Sequence, residues 1–172
     1  MRLPVTSLLA LTLLGCKSAP GPIPGTQADP AAHEAILATI DRLFVAMAAR
    51  DQAAFAACLL DQTMIHSLRQ RNQQWQLRSK TAGASAADLG VGDQRLLETY
   101  WQPTVLQRGP IAVVWAPYRF QIDGRDSHYG VDVFDLVQVD GTWRIANLVY
   151  TVEAPPALDL APGAGAVVRP RQ

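Results

Sequence analysis

The chain has 172 residues, and its fifteen basic and fifteen acidic side chains give a formal net charge of zero. Between Ala31 and Glu153, eleven basic residues stand against thirteen acidic ones. Nucleic-acid binding proteins carry a basic patch or stripe, so this charge balance argues against a nucleic-acid partner. The length is sufficient for one domain with a sizeable hydrophobic core.

The first segment of the chain has the pattern of a bacterial lipoprotein signal peptide. A positive end at Met1-Arg2 precedes an apolar run over Leu3–Leu14, and the run closes on Leu13-Leu14-Gly15-Cys16. This run is too short to span a bilayer, because a spanning helix needs about 20 apolar residues. We therefore predict a signal peptide over 1–15 and a lipid on the new N-terminal Cys16. The alternative is an ordinary secretory signal with a chance cysteine.

Two segments rich in proline and glycine flank the central part of the chain, over 16–30 and over 154–172. Segments of this composition are extended and poor in core-forming residues. We predict that the first is a tether to the membrane and that the second is a disordered tail. Lys17 follows the cysteine, where an aspartate would mark retention at the inner membrane. The predicted location is therefore the cell envelope, at the outer membrane and facing the periplasm.

Helix signals open the central part, which we predict to be one domain over 31–153. Asp29 can cap a helix and Pro30 suits its first turn, while Asp51 can cap a second, short helix. Cys58, which has no partner once Cys16 carries a lipid, is interpreted as a small buried hydrophobe. Apolar residues at helical spacing form one stripe on the first helix: Ile36, Ile40, Leu43, Phe44 and Met47.

Strand signals dominate the rest of the chain. Two short strands are predicted over Met64–Leu68 and Trp75–Arg78, followed by a short third helix over Ala84–Leu89. Asp-Gly pairs, which favour tight hairpins, separate some of the later strands. The predicted class is α+β, with helices packed in an antiparallel sheet. Four long strands are predicted: Leu96–Gln107, Ile111–Ile122, His128–Val139 and Thr142–Val152.

The sequence resembles the nuclear transport factor 2-like superfamily over about 31–153. Leu37–Leu60 is similar to the opening helix pair of that superfamily. Three later segments are similar to the strand core of its bacterial members: Val114–Tyr118, Ser127–Asp132 and Gly141–Ile145. These members are often labelled lumazine-binding-like or polyketide cyclase-like. The resemblance implies a cone-shaped α+β barrel, in which a curved antiparallel sheet wraps the long helix and leaves a pocket at its open end. The superfamily includes isomerases, dehydratases, epoxide hydrolases, cyclases and many non-enzymes, so the fold does not settle function.

Four side chains are candidates for ligand binding in such a pocket. His128 and Asp132 are four positions apart on one predicted strand and therefore share a face. Gly130 lies between them and would leave open space for a ligand. Tyr118 on the neighbouring strand can donate a hydrogen bond, and His66 can approach the cavity mouth. The structural alternative is that these polar groups are satisfied within the strands and that Tyr118 is an aromatic core residue.

The same residues suggest a possible chemistry. A histidine beside an aspartate can act as a general acid–base pair, with His128 as base, Asp132 orienting it and Tyr118 as the electrophilic donor. A zinc site needs at least three convergent ligands, which His66, His128 and Asp132 supply only if their strands align. HxxxH and CxxC patterns, a phosphate loop and a dinucleotide fingerprint are all absent from the sequence. We therefore predict no metal and no cofactor.

The first functional prediction is a lipid-anchored periplasmic domain that binds a small, partly apolar molecule without transforming it. The alternatives are an isomerase, dehydratase or cyclase, and a dimeric scaffold with a filled cavity. We also predict a homodimer, because Ile111–Pro117 is a continuous apolar run, typical of a strand covered on both faces. The helices can cover only one of those faces. The four tryptophans are interpreted as core or interface residues: Trp75, Trp101, Trp115 and Trp143.

Overall fold

The computed structural model describes residues 29–155, 157 and 159–170. The predicted signal peptide, Cys16 and most of the tether lie outside the described residues. Helices and strands follow one another in this order: α1 (Pro30–Ala48), α2 (Gln52–Ala57), β1 (Leu59–Arg71), β2 (Gln74–Thr81), α3 (Ala82–Leu89), β3 (Leu96–Trp101), β4 (Thr104–Arg108), β5 (Ile111–Ile122), β6 (Arg125–Val139), β7 (Thr142–Val152) and β8 (Val168–Arg169).

Side-chain caps fix where the three helices begin. The Asp29 carboxylate accepts a hydrogen bond from the backbone N–H of Ala31 at 3.2 Å. The Asp51 carboxylate accepts one from the backbone N–H of Ala54 at 2.9 Å. Both predicted caps are confirmed. Thr81 caps α3 in the same way, which satisfies one of the backbone N–H groups that a helix leaves unpaired at its start. No helix in the described ranges has both the length and the apolar character that crossing a membrane requires.

The strands form one curved sheet in the order β2-β1-β7-β6-β5-β3-β8, with β4 also paired to β5. The predicted α+β class is confirmed. The sheet is mixed, however, because β1 pairs with β7 in parallel while the other strand pairs are antiparallel. A parallel pair cannot be closed by a tight hairpin, and β1 and β7 are separated by most of the domain. The prediction of a wholly antiparallel sheet is wrong at this pairing.

The predicted strand Leu96–Gln107 is two strands, β3 and β4, that bend along the edge of β5. The break falls at Gln102, whose φ is +45°, and at Pro103, which has no backbone N–H to donate to a ladder. Both halves still pair with β5. The sheet therefore curves without losing its edge pairing, and its concave side faces α1.

The core lies between α1 and that concave side. The predicted stripe of α1 is buried except for Met47, which is partly buried. Phe44 contacts the rings of Tyr100 and Phe134 at centroid distances of 5.8 and 6.2 Å. Cys58 at the end of α2 is 5% exposed, and burial raises the pKa of its thiol. The interpretation of Cys58 as a small buried hydrophobe is confirmed.

Two residues of the segment 154–172, for which a disordered tail is predicted, form a short strand, β8. Val168–Arg169 pair with β3. The Arg169 guanidinium donates hydrogen bonds to Asp41 at 2.6 Å and to Glu34 at 2.8 Å, both on α1. Composition predicted a segment poor in core residues, but two carboxylates placed by the fold tie its end to the domain.

Candidate functional site

A cavity of about 430 Å³ opens between α1 and the concave side of the sheet. Its volume falls in the range of small-molecule sites, which are mostly apolar with a few convergent polar groups. Helices α1, α2 and α3 cover one side, and strands β1, β3, β5, β6 and β7 form the other. The apolar walls are lined by Leu43, Phe44, Met47, Phe55, Ile65, Leu89, Leu96, Phe120, Leu148 and Val152.

Two carboxyl groups meet on the sheet side of the cavity, and we refer to Glu98 and Asp132 as the floor. Glu98 lies on β3 and is partly buried, while Asp132 lies on β6 and is 2% exposed. Their side chains lie within hydrogen-bonding reach of each other. Two carboxylates cannot donate to each other, so this contact needs a proton on one of them.

Burial raises the pKa of both floor carboxyls, since it disfavours the charged form. The charge of Glu98 raises the pKa of Asp132 further. No N–H or hydroxyl group in the described part of the chain donates to the buried oxygen Oδ2 of Asp132. A carboxyl proton on Glu98, a water in the cavity or a bound ligand can satisfy that oxygen.

Tyr118 lines the cavity with its ring, but its hydroxyl is already engaged. The hydroxyl donates to the backbone oxygen of Thr151 at 2.6 Å, and burial raises the pKa of the phenol. Gly130 does not provide open space for a ligand, which corrects the prediction made from the sequence. A Cβ at position 130 would lie 2.1 Å from the Thr151 oxygen and 2.7 Å from the Tyr118 ring. The missing side chain makes room for the tyrosine.

His128 also lines the cavity, at some distance from the floor. Its ring stacks on Phe120 at a centroid distance of 4.9 Å, and its Nδ1 lies 3.1 Å from the Ser127 hydroxyl oxygen. Burial lowers the pKa of His128 to about 4, and the charge of Arg69 adds to this. The imidazole is therefore neutral at pH 7.

The predicted acid–base pair of His128 and Asp132 is not formed. Four residues of strand span about 13 Å at roughly 3.3 Å per residue, which is beyond hydrogen-bond reach even though both residues share a face. The carboxyl partner of Asp132 is Glu98 on another strand. The set His128, Asp132 and Tyr118 thus lines one cavity without converging on one point.

Basic side chains surround the entrance, which we refer to as the mouth. Arg69 on β1 and Arg78 and Lys80 on β2 line it, together with Asp88 on α3. Lys80 forms an ion pair with Asp88. The mouth and the floor therefore carry opposite kinds of polar group, separated by apolar walls.

The sequence matches no family model and no curated protein, whereas solved structures resemble the fold. An NTF2-like protein from Silicibacter pomeroyi DSS-3 matches with a TM-score of 0.51 and 19% identity, over 73% of this chain and 100% of the other. An NTF2-like protein from Pseudomonas putida KT2440 matches with a TM-score of 0.56 and 19% identity, over 72% of this chain and 87% of the other. Both are described as proteins of unknown function.

A third similar structure is the β subunit of a proposed aromatic-ring-hydroxylating dioxygenase from Novosphingobium aromaticivorans DSM 12444. It matches with a TM-score of 0.61 and 15% identity, over 76% of this chain and 95% of the other. The chain has the nuclear transport factor 2-like fold. At these identities the likeness concerns architecture and leaves the ligand open.

Within this NTF2-like fold, His66 lies on the wrong face for the predicted role at the cavity mouth. Its neighbours Ile65 and Ser67 line the cavity, and alternate residues of a strand point to opposite faces. The His66 Nδ1 lies 2.7 Å from the Ser79 hydroxyl oxygen on β2. His66 therefore cannot join His128 and Asp132 at a metal. No group of three or more His, Cys, Asp or Glu residues in the described ranges is arranged to hold one.

The sequence analysis missed Glu98 and the arginines of the mouth. Leu96, Glu98 and Tyr100 occupy alternate positions of β3, and all three point inward. An acidic residue between two inward-facing apolar positions indicates a buried carboxyl that needs a partner, because charged residues are rarely buried unless they are paired. Its partner could not be identified without the strand order.

Proposed function

We propose that this chain binds a small, partly apolar molecule in the NTF2-like cavity and does not transform it. The observation that supports this most directly is the open cavity of about 430 Å³, with apolar walls and a polar floor. Small-molecule sites combine these two features, since the walls supply burial and a few polar groups supply orientation. A scaffold with a filled cavity does not have this geometry.

The floor provides polar groups that can orient a bound molecule. A buried polar atom without a hydrogen-bond partner costs about 1–3 kcal/mol. The partner of the Asp132 Oδ2 atom is a carboxyl proton, a water in the cavity or a ligand group. A ligand hydroxyl suits this position, because it can donate or accept according to where the shared proton lies.

Native mass spectrometry of protein extracted from its own host tests ligand binding. We expect a mass increment that disappears on denaturation, and we expect Ser67→Trp to abolish it by filling the cavity. Ser79→Trp is the matched control, because Ser79 lies on the same hairpin and bonds His66 on the other face. Equal masses in native and denatured spectra, or an increment that survives Ser67→Trp, would contradict binding in this cavity.

The membrane part of the proposal is a lipid on Cys16 that holds the domain at the cell envelope, at the outer membrane and facing the periplasm. It is supported by Leu13-Leu14-Gly15-Cys16 after a short apolar run. The host's own chain should partition into detergent, whereas Cys16→Ser should partition into water. Equal partitioning of the two chains into water would exclude the anchor.

An acid–base enzyme of the isomerase or dehydratase kind is the second candidate. The observation that favours it is the floor pair, because carboxyls with raised pKa values inside a cavity are typical of general acids and bases. It would use Glu98 and Asp132 in place of the predicted His128. Incubation of the co-purified ligand with protein in heavy water tests it. Deuterium at a ligand carbon, lost with Asp132→Asn, would indicate catalysis, and no exchange would favour binding only.

We also propose a homodimer through the convex side of the sheet. Ile111, Val113 and Trp115 alternate along β5 toward that side, and Trp115 is 54% exposed. Exposed apolar patches mark interfaces, and the same surface on a second copy can pair with it about a two-fold axis. Trp115→Glu should convert a dimer to a monomer in light scattering. A monomeric parent chain at micromolar concentration would exclude the dimer.

A further inference from the structure

The two arginines of the mouth are placed to hold one group between them. In the register of the hairpin, Ser67 on β1 lies opposite Arg78 on β2, and Arg69 lies opposite Gln76. Arg69 and Arg78 are therefore diagonal neighbours on the cavity face of two paired strands. The Cβ atoms of such neighbours are about 7–8 Å apart, within reach of long side chains.

The charges of these two arginines have no counter-charge beside them in the described part of the chain. Lys80, the third cation of the mouth, forms an ion pair with Asp88. Across residues 29–155, 157 and 159–170, no carboxylate lies within 4 Å of Arg69 or Arg78. Two like charges side by side favour an anion between them, and a guanidinium matches carboxylate, sulfonate or phosphate oxygens as a two-pronged donor.

The other end of the cavity fixes how such an anion would be oriented. Glu98 and Asp132 supply no positive charge at the floor, and the neutral His128 supplies none on the wall. Apolar walls fill the space between the floor and the mouth. An anionic group is therefore favoured only at the mouth, with an uncharged body reaching inward.

We propose that the ligand of this cavity is an amphipathic organic anion, whose carboxylate, sulfonate or phosphate group is held between Arg69 and Arg78. Its apolar body lies along Phe44 and Phe120. This inference rests on the proposed binding function and names the class of molecule that the cavity takes. It adds a recognition site in the β1–β2 hairpin, separate from the acid pair of the floor.

Two fluorescent probes with the same aromatic body test the proposal. Anilinonaphthalene sulfonate carries the anionic group, and phenylnaphthylamine is the neutral counterpart. Both are titrated into the full chain carrying Cys16→Ser, which removes the lipid acceptor. We expect the sulfonate to bind more tightly than the neutral probe, and its affinity to fall as salt is added, because the arginines are exposed.

The double variant Arg69→Ala/Arg78→Ala locates the effect. It should weaken sulfonate binding by about tenfold or more, as expected for loss of charge-assisted hydrogen bonds, and leave the neutral probe within about twofold. Arg108→Ala is the matched control, because Arg108 is exposed on β4 and does not line the cavity. Unchanged thermal melts establish that each variant is folded. If the double alanine variant has a lowered melting temperature, Arg69→Lys/Arg78→Lys replaces it and should keep part of the preference for the sulfonate over the neutral probe.

Two results separate failure of this inference from failure of the proposed function. In the first result, both probes bind with equal affinity, Ser67→Trp abolishes the binding of both, and the arginine variants leave both affinities unchanged. The cavity then binds molecules without selecting anions, and the inference is wrong. If Ser67→Trp displaces neither probe, the cavity is not their site, and the binding proposal loses its support as well.

Discussion

The floor and the mouth of the cavity both carry charged residue types, but the protein holds them in opposite ways. Asp132 is almost fully buried and pairs with a second carboxyl, so its protonation is coupled to folding. Arg69 and Arg78 are exposed to water and make no ion pair in the described part of the chain. Buried groups change stability and pH dependence, whereas exposed charges chiefly change attraction for a ligand and its salt dependence.

The largest effect should come from the packing next to the floor. Gly130→Ala places a Cβ 2.1 Å from a backbone oxygen that cannot easily move, so we expect a loss of about 3 kcal/mol in the free energy of unfolding. Urea denaturation measures it. Gly83→Ala in α3 is the control, because a Cβ there meets nothing within 4 Å and alanine favours a helix. Equal stability of the two variants would contradict the close packing at position 130.

The floor pair should make the protein less stable as pH rises. The pKa of Glu98 is raised from 4.5 to about 8, so between these values the folded chain holds more protons than the unfolded chain. Its stabilising contribution is complete below pH 4.5 and is lost as pH rises through 8. We expect the free energy of unfolding to decrease steadily across this window in urea denaturation. Glu98→Gln should reduce this slope, because it removes the carboxyl whose pKa is raised by burial, and an unchanged slope in this variant would contradict the burial of Glu98 at the floor.

His128 should give a smaller effect of the opposite sign. Its folded pKa is lowered from 6.5 to about 4, so the unfolded chain binds the proton more readily in that window. This contribution is present above pH 6.5 and is lost as pH falls through 4. His128→Ala should cost about 1 kcal/mol through lost stacking on Phe120 and should remove the acid-side dependence. If the melting temperatures of wild type and His128→Ala fall equally between pH 6.5 and pH 4, the imidazole is not desolvated.

The smallest effect on stability should come from the mouth. Arg69→Ala/Arg78→Ala changes two exposed residues that form no ion pair with the described residues, so the free energy of unfolding should stay within about 0.5 kcal/mol. On the acid side, its stability should fall slightly less than that of wild type, because the charge of Arg69 no longer lowers the pKa of His128. Urea denaturation at low and high salt checks this. A loss above about 1 kcal/mol would show that the arginines support the fold, and the distinction between mouth and floor would then fail.

Local chemistry was readable from the sequence wherever neighbouring residues suffice. Asp29 and Asp51 cap their helices as predicted, and Asp123-Gly124 and Asp140-Gly141 form two-residue hairpin turns. All four turn residues have positive φ values, which aspartate tolerates and glycine adopts freely. The resemblance to the NTF2-like superfamily placed these local elements in a fold that the solved structures confirm.

The candidate site was predicted only in part, because its geometry depends on contacts between distant strands. Tyr118, His128 and Asp132 line the cavity, since inward alternation along a strand is a local pattern. Register decides which face His66 takes, and the pairing across β3, β5 and β6 brings Glu98 to Asp132. Alternation places a side chain on a face without identifying its partner.

By itself, the sequence determined the helix starts, the hairpin turns, the apolar stripe of α1 and the α+β class, because each depends on residues within a few positions of one another. Tertiary structure decided the parallel pairing of β1 with β7, the docking of Arg169 on α1 and the closeness of Gly130 to Tyr118. It also decided that an acid pair lies at the floor and two arginines lie at the mouth. These features join residues far apart in the chain, and only the folded sheet brings them within range of each other.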